Sequence, residues 1–321
     1  MQPRICRDVS RRDLSIDLLG KRIPVPFMLA PIGVNSILHP EAEIAPAKAA
    51  AALGVPYILS NVSTKSMEEV AKAMGDALRW FQLYPPIDRE LTDSFLKRAE
   101  DAGYSAIVVT IDSTLLGWRE KDLHNAYLPF LSGEGMGNFF SDPVFLSRLK
   151  EPPEKNVKAA SKKALEEGNN VHFTWEHLEY ICNHSKLPVL LKGVTHPEDA
   201  ILAVKHGAKG IVVSNHGGRQ LDGGVATLDV LPSIRKAVGQ DAPVLLDSGI
   251  RRGADVLKAI ALGASAVLIG RPFAYALAAA GETGVTKVLE HFIAETELQL
   301  AISGRTSIGE VDEHLVTNKY V

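Results

Sequence analysis

The residues best suited to chemistry sit at the ends of apolar runs. His216 follows GIVVSN and precedes two glycines and Arg219. Histidine trades protons near neutral pH, so a base on a turn beside a guanidinium is the economical reading. Lys192 ends PVLLK, Asp112 ends AIVVTID and Asp247 ends PVLLD. A charge in an apolar strand is costly unless paired, so several at like positions mark a site. Asp112 could orient the His216 imidazole and stabilise its protonated form. Arg119 in GWRE and Arg219 in HGGRQ offer the bidentate fork that clamps a carboxylate. Gly249, Gly253 and Gly270, with Arg251 and Arg271, let backbone N–H groups and positive charge approach a phosphate. The plainer alternatives are a structural ion pair for Lys192, a satisfied core imidazole for His216 and surface arginines. Taken together, the set reads as redox or proton-abstraction chemistry on a small acid, with a phosphate-bearing cofactor. No metal set emerges, for HExxH and paired CxxC are absent.

These residues need a scaffold that brings strand ends together. Eight short apolar runs recur at 26–33, 56–61, 78–84, 106–112, 188–194, 210–216, 243–250 and 266–272. Each is apolar on both faces, as a covered parallel strand must be. Between them lie stretches of helical period at 42–53, 66–74, 89–102, 175–184, 198–206, 229–238, 252–262 and 285–303. Gly54, Gly75, Gly103, Gly207, Gly239 and Gly263 sit where helix C-caps belong. Eight strands, each followed by a helix, give an α/β fold of the (β/α)8 TIM-barrel type, with catalytic groups at the C-terminal strand ends. A doubly wound sheet would favour GxGxxG after its first strand, and APIGVN is not that. One gap is long, from 106 to 188, and residues 114–172 read as a lid or loop insertion after strand four. Its charged part, EPPEKNVKAASKKALEEGNN, reads as mobile. Trp118, Tyr127, Phe130, Phe139 and Phe140 are the aromatics available to cover the mouth. The whole of 1–321 reads as one domain.

Composition narrows the class. Of 321 residues, 46% are hydrophobic and 23% charged, ordinary for a globular protein. Net charge is −3, from 35 Lys and Arg against 38 Asp and Glu, which argues against nucleic acid as a partner. Cys6 and Cys182 are too few for a disulfide framework and fit a reducing, cytoplasmic setting. No apolar run suggests a membrane span or a signal peptide, and the last residues, TNKYV, are not the SKL address.

The ordered set LLKG, SNHGGRQLD, DSGIRRG and IGRP makes a resemblance specific. From RICRDVS to about residue 310 the chain resembles the FMN-dependent L-2-hydroxy-acid oxidase and dehydrogenase family. LLGWREKDLHNAYLPFLSGEGMGNFFSDPVF looks most like its lactate 2-monooxygenase branch. The resemblance implies FMN as cofactor, a small L-2-hydroxy acid such as L-lactate as substrate, O2 as acceptor, and a homotetramer. It implies His216 as the base with Asp112 behind it, Arg119 and Arg219 on the substrate carboxylate, and Tyr84 beside the substrate. Lys192 matches the lysine at the flavin N1/O2 edge. Pro31, Ile32 and Gly33 match the backbone at flavin N5. Ser60, Gln82, Thr110 and Ser214 match polar contacts to the ring and ribityl chain. Asp247, Gly249, Arg251, Gly270 and Arg271 match ribityl and phosphate contacts. Family members also carry an earlier segment whose tyrosine reaches the substrate carboxylate, and these residues hold no counterpart. DST at 112–114 replaces the common DTP, a loop change. The resemblance to the monooxygenase branch implies acetate, CO2 and water as products; an oxidase releasing pyruvate and H2O2, a dehydrogenase feeding a quinone or cytochrome, a flavin binder of low turnover and an isomerase on the same barrel are the alternatives.

Overall fold

The computed structural model describes residues 1–168, 170–240 and 242–317. Eight parallel strands close into a barrel. They are β1 (Phe27–Leu29), β2 (Tyr57–Ser60), β3 (Arg79–Leu83), β4 (Ile107–Thr110), β5 (Val189–Val194), β6 (Gly210–Val213), β7 (Val244–Leu246) and β8 (Ala266–Ile269). Strands adjacent in sequence pair in space, and β8 returns to β1 with Leu268 beside Met28. The covering helices are α1 (Ile44–Ala52), α2 (Met67–Met74), α3 (Arg89–Asp101), α4 (Trp175–His184), α5 (Pro197–Lys205), α6 (Thr227–Val238), α7 (Gly253–Ala261) and α8 (Arg271–Ile302). The six glycines expected at helix ends all take φ between +56° and +107°, the region where a Cβ would be strained.

The period of two along each strand decides what faces inward. Met28, Ile58, Trp80, Val108, Leu190, Val212, Leu245 and Leu268 fill the barrel interior. Their outward neighbours, such as Phe27, Leu59, Phe81, Val109, Leu191 and Val267, belong to the larger core beneath the helices. Two residues beyond each interior apolar side chain lies the mouth layer: Ala30, Ser60, Gln82, Thr110, Lys192, Ser214, Asp247 and Gly270. One alternation thus sets both the core and the polar ring. The other end is plugged by a hairpin, Ile16–Leu18 paired with Lys21–Ile23, whose Leu18 and Ile23 join the interior cluster. Its turn residues Leu19 and Gly20 both have positive φ, +48° and +74°, which suits the right-handed twist of the ribbon.

The insertion has two unlike parts. Residues 114–132 hold one short helix, Glu120–His124, and a 3-10 turn, Pro129–Ser132. Residues 133–168 form helices Gly137–Phe140, Pro143–Ser147 and Val157–Gly168 against the barrel flank. The charged stretch expected to be mobile is therefore a helix over Val157–Gly168, burying Ala160, Ser161 and Ala164 on one face. Helix α8 likewise starts earlier than the expected 285. It contains a first segment from Arg271, broken at Ala280 and Gly281 before the longer second segment.

Candidate active site

The ring of strand-end residues is buried and internally linked. Ser60 Oγ donates to Gln82 Oε1 at 2.9 Å, and Lys192 Nζ donates to Ser214 Oγ at 3.0 Å. Asp247 Oδ2 lies 3.4 Å from Lys192 Nζ. Burial works against the Lys192 charge, but Asp247 and Asp112 more than offset this and raise its affinity for a proton above the ordinary value. Lys192 is therefore a fixed cation, 4% exposed, at the barrel centre. A bulge follows it, with Gly193 at φ +103°. A Cβ there would come within 2.7 Å of Asp112 Cβ, so the glycine makes room for the carboxylate.

Loops beyond the ring set the acid–base group. Ser248 Oγ accepts from the backbone N–H groups of Asn215 and Gly217 at 3.3 and 2.9 Å, and donates to Asp247 at 2.7 Å. His216 is thereby held at φ +57°, an uncommon conformation for a residue with a side chain. Its Nδ1 meets Asp112 Oδ1 at 2.9 Å, and its Nε2 lies 3.5 Å from the Tyr84 hydroxyl. Burial opposes ionisation of Asp112, but the His216 hydrogen bond and the Lys192 charge pull its carboxyl below the ordinary range. With Nδ1–H donated to that carboxylate, Nε2 carries the free lone pair and faces the mouth beside Tyr84. Burial pushes the Tyr84 phenol up, so it stays a neutral donor.

Two guanidiniums converge on the same place. Burial and the charge of Arg219 both lower the proton affinity of Arg119 below its ordinary value, although it remains a cation. Arg119 Nε is buried without a partner. Its Nη2 donates to Gln220 Oε1 at 3.2 Å. Arg219 is half-exposed, with Asp122 3.8 Å away. Two adjacent cations, one with an unsatisfied donor, can hold an anion.

The remaining expected positions complete the rim. Pro31–Gly33 follow β1, and a Cβ at Gly33 would meet Val62 at 2.6 Å, so this backbone passes close to the β2 loop. The position of a Gly270 Cβ lies 3.9 Å from the Ile32 side chain and from Ala30 Cβ. Arg271 Nη1 is 3.0 Å from where a Gly217 Cβ would stand, which brings the first turn of α8 to the His216 loop. Gly249 has φ +113° and open space where a side chain would be. Arg251 stands exposed after β7. Among the described residues its side chain makes no hydrogen bond or ion pair.

Comparison with known proteins gives the family. The FMN-dependent dehydrogenase family matches residues 1–318. The chain belongs to that family. It is an FMN-dependent oxidoreductase whose relatives act on small 2-hydroxy acids. An L-lactate oxidase of Lysinibacillus sphaericus is 47% identical over 306 residues, covering 95% of this chain and 78% of the relative. A peroxisomal (S)-2-hydroxyacid oxidase of Arabidopsis thaliana is 42% identical over 315 residues, covering 98% and 84%. A crystal structure of mandelate oxidase superposes with a TM-score of 0.84 at 42% identity, covering 96% of this chain and 83% of that one.

The residues present fit FMN. Gln82 Nε2 and Thr110 Oγ1 are buried polar atoms without partners in the mouth ring, as groups facing a polar heterocycle would be. Lys192, Ser214 and Asp247 supply the charged and hydroxyl part, and Gly249, Gly270 and Arg271 the open, cationic part suited to a phosphate. No helix among the described residues is long and apolar enough to cross a membrane. No group of three or more His, Cys, Asp and Glu among them could hold a metal.

Gln220 and Asn138 carry no signal of function of their own in the sequence alone, and Ser248 stands there only as a polar strand-end residue without a role. Gln220 and Ser248 act by hydrogen bonds to backbone, which no residue-type pattern signals. Asn138 fixes the insertion from 71 residues away, donating to Asn61 O at 2.9 Å and accepting from Met67 N at 2.8 Å. The one available signal was that Gln220 directly follows HGGR.

Proposed function

We propose that the protein oxidises a small L-2-hydroxy acid, L-lactate, with O2 as the electron acceptor. The observation that supports this reading is the neighbourhood of four groups: His216 Nε2 lies 3.5 Å from the Tyr84 hydroxyl, Arg119 is near enough to Tyr84 to act on its charge, and Arg219 stands beside Arg119. Arg119 and Arg219 bind and orient the carboxylate. Tyr84 donates to the substrate oxygen and keeps it within reach of His216. His216 takes the hydroxyl proton at Nε2, and Asp112 stabilises the imidazolium through Nδ1. Lys192 stands as fixed positive charge where negative charge develops. FMN, when bound, accepts the two electrons and passes them to O2. The balance is L-lactate plus O2 to pyruvate plus H2O2.

The front of the insertion supports early release of the keto acid. Trp118 is 81% exposed, and Phe139 is buried against Phe95 and Phe145 at 5.2 and 5.3 Å. Neither covers the mouth as expected of a closed lid. Decarboxylation of a retained keto acid to acetate, CO2 and water is the second reading, and the likeness of residues 115–145 to lactate 2-monooxygenase favours it.

The test is to add L-lactate to the yellow protein under nitrogen, then to analyse products in air without catalase. Bleaching followed by stoichiometric H2O2 and pyruvate supports the first reading, and acetate the second. A yellow protein that never bleaches is a binder and overturns both. His216→Gln should keep FMN and lose flavin reduction by about 10²–10⁴-fold. Near-normal reduction would remove His216 as the base.

A further inference from the structure

Gln220 uses the whole hydrogen-bonding capacity of its amide. Nε2 donates to the carbonyls of Asp112 and Leu115 at 2.9 and 2.8 Å. Oε1 accepts from the Gly117 N–H at 3.3 Å and from Arg119 Nη2 at 3.2 Å. Two donors and two acceptors are all that a side-chain amide has. Among the described residues, every hydrogen bond that ties residues 114–128 to the barrel ends on this one side chain. The Arg219–Asp122 pair at 3.8 Å is the one ion pair beside it. The backbones also approach closely: a Cβ on Gly117 would lie 2.4 Å from Arg219 O.

We propose that Gln220 is the positioning residue that sets Arg119 against the His216–Asp112 pair, and so links substrate-carboxylate binding to the seating of residues 114–128. The proposal rests on the reading that Arg119 and Arg219 hold that carboxylate. Left alone, Arg119 would be repelled by Arg219 and would swing toward water. The Oε1 dipole offsets that repulsion without neutralising either cation. A carboxylate in its place would compete with the substrate for Arg119. The same amide grips both ends of the 112–119 segment, so Arg119 is in place only when the segment is seated.

The test compares the FMN-loaded wild type with Gln220→Leu, a near-isosteric loss of all four bonds. Gln220→Asn, polar but one methylene short, serves if the leucine variant fails to fold. The probe is propionate, a carboxylate that this reaction cannot oxidise, titrated through the flavin absorbance. The expected result is a propionate Kd raised about tenfold and tryptic cleavage after Arg119 and Lys121 faster by about tenfold. The limiting rate of flavin reduction by L-lactate should fall by less than about threefold, with FMN content and Tm retained. A propionate Kd within about twofold of wild type overturns the proposal. So does a Kd change that tracks loss of FMN or of Tm. Arg119→Leu separates the two readings. If it weakens propionate and Gln220→Leu does not, the Gln220 proposal alone fails. If Arg119→Leu leaves propionate binding unchanged, the carboxylate clamp itself is wrong, and the link falls with it.

Discussion

The front and rear of the insertion are built in opposite ways. The rear, residues 133–168, is bound by buried polar anchors. Asp142, fully buried, accepts from the N–H groups of Val144 and Phe145, from Ser94 Oγ at 2.7 Å and from Arg98 at 3.0 Å. Arg98 also pairs with Glu68 and donates to Asn138 O. Phe139 and Phe145 add edge-on aromatic contacts to Phe95 and to each other. The front, residues 114–132, exposes Leu115 by 65%, Leu116 by 58%, Trp118 by 81% and Leu123 by 55%. Yet the front carries Arg119. Stability and function are thus divided along one loop. Among the described residues, 114–128 is tied to the barrel by the hydrogen bonds of one side-chain amide and one ion pair, and the segment behind it is held by many.

The sharpest way to break that division is Asp142→Ala. It removes a helix cap and leaves Arg98 facing an empty pocket. Removing one member of a buried pair costs about 3–5 kcal/mol. At about 2–4 °C per kcal/mol for a domain of this size class, Tm should fall by about 10 °C, with propionate affinity retained in the folded protein. Unchanged unfolding would mean that the rear is not the anchor. Asn138→Leu should act in the same direction by about 1–3 kcal/mol, because it orphans Met67 N–H and Asn61 O inside the core. Substrate affinity lost ahead of stability in either variant would erase the distinction between front and rear.

Asp112, at the root of the front, gives a pH-dependent version of the comparison. Its folded carboxyl lies below the ordinary value of 3.8. Its ionised form is therefore preferred by the folded state. That contribution is fully present above about pH 3.8 and is lost as pH falls through the folded value. The stability difference between wild type and Asp112→Asn should shrink as pH falls through that acid window. Urea unfolding at fixed pH measures it. A difference that grows with acid would reverse the assigned sign.

How much of this was legible in sequence depends on whether a residue acts by type or by partner. The strands were readable because both faces are buried, so 188–194 is apolar apart from Lys192 in the ring, and 78–84 is interrupted only by Gln82 in the ring, the terminal Tyr84 and Arg79 at its far end. His216, Asp112, Lys192, Arg119 and Arg219 were readable because charge at the end of an apolar strand, or beside glycines, has few other uses. The end hairpin at 16–23 was not, since strands of three residues carry too little alternation to register. The first segment of α8 was missed because AYALAAAG shows no polar face. The helix at Val157–Gly168 is not legible because it buries only alanines and a serine, which carry little hydrophobic signal against its five charged residues. Gln220 and Asn138 work through backbone carbonyls and N–H groups brought close only by closure of the barrel.

The smallest effect expected is the most specific to the front. Trp118→Ala removes the largest side chain of the insertion, and in the rear such a loss would cost about 3–5 kcal/mol. Here the ring is 81% exposed, so little apolar area is returned to water. The change in unfolding free energy should stay within about 0.5 kcal/mol, as for surface substitutions that break no cap or network. Trp118 is nevertheless the residue next to Arg119 on a segment whose hydrogen bonds to the barrel, among the described residues, all end on Gln220. If the segment folds over bound substrate, the ring is buried then and only then. On the second reading its loss should raise the share of pyruvate and H2O2 over acetate while leaving Tm in place, and on the first the products stay pyruvate and H2O2. The measurement is product partition in air beside a thermal melt, on one preparation. A fall in Tm with unchanged partition would place Trp118 with the rear anchors and show that the front is packed, not open.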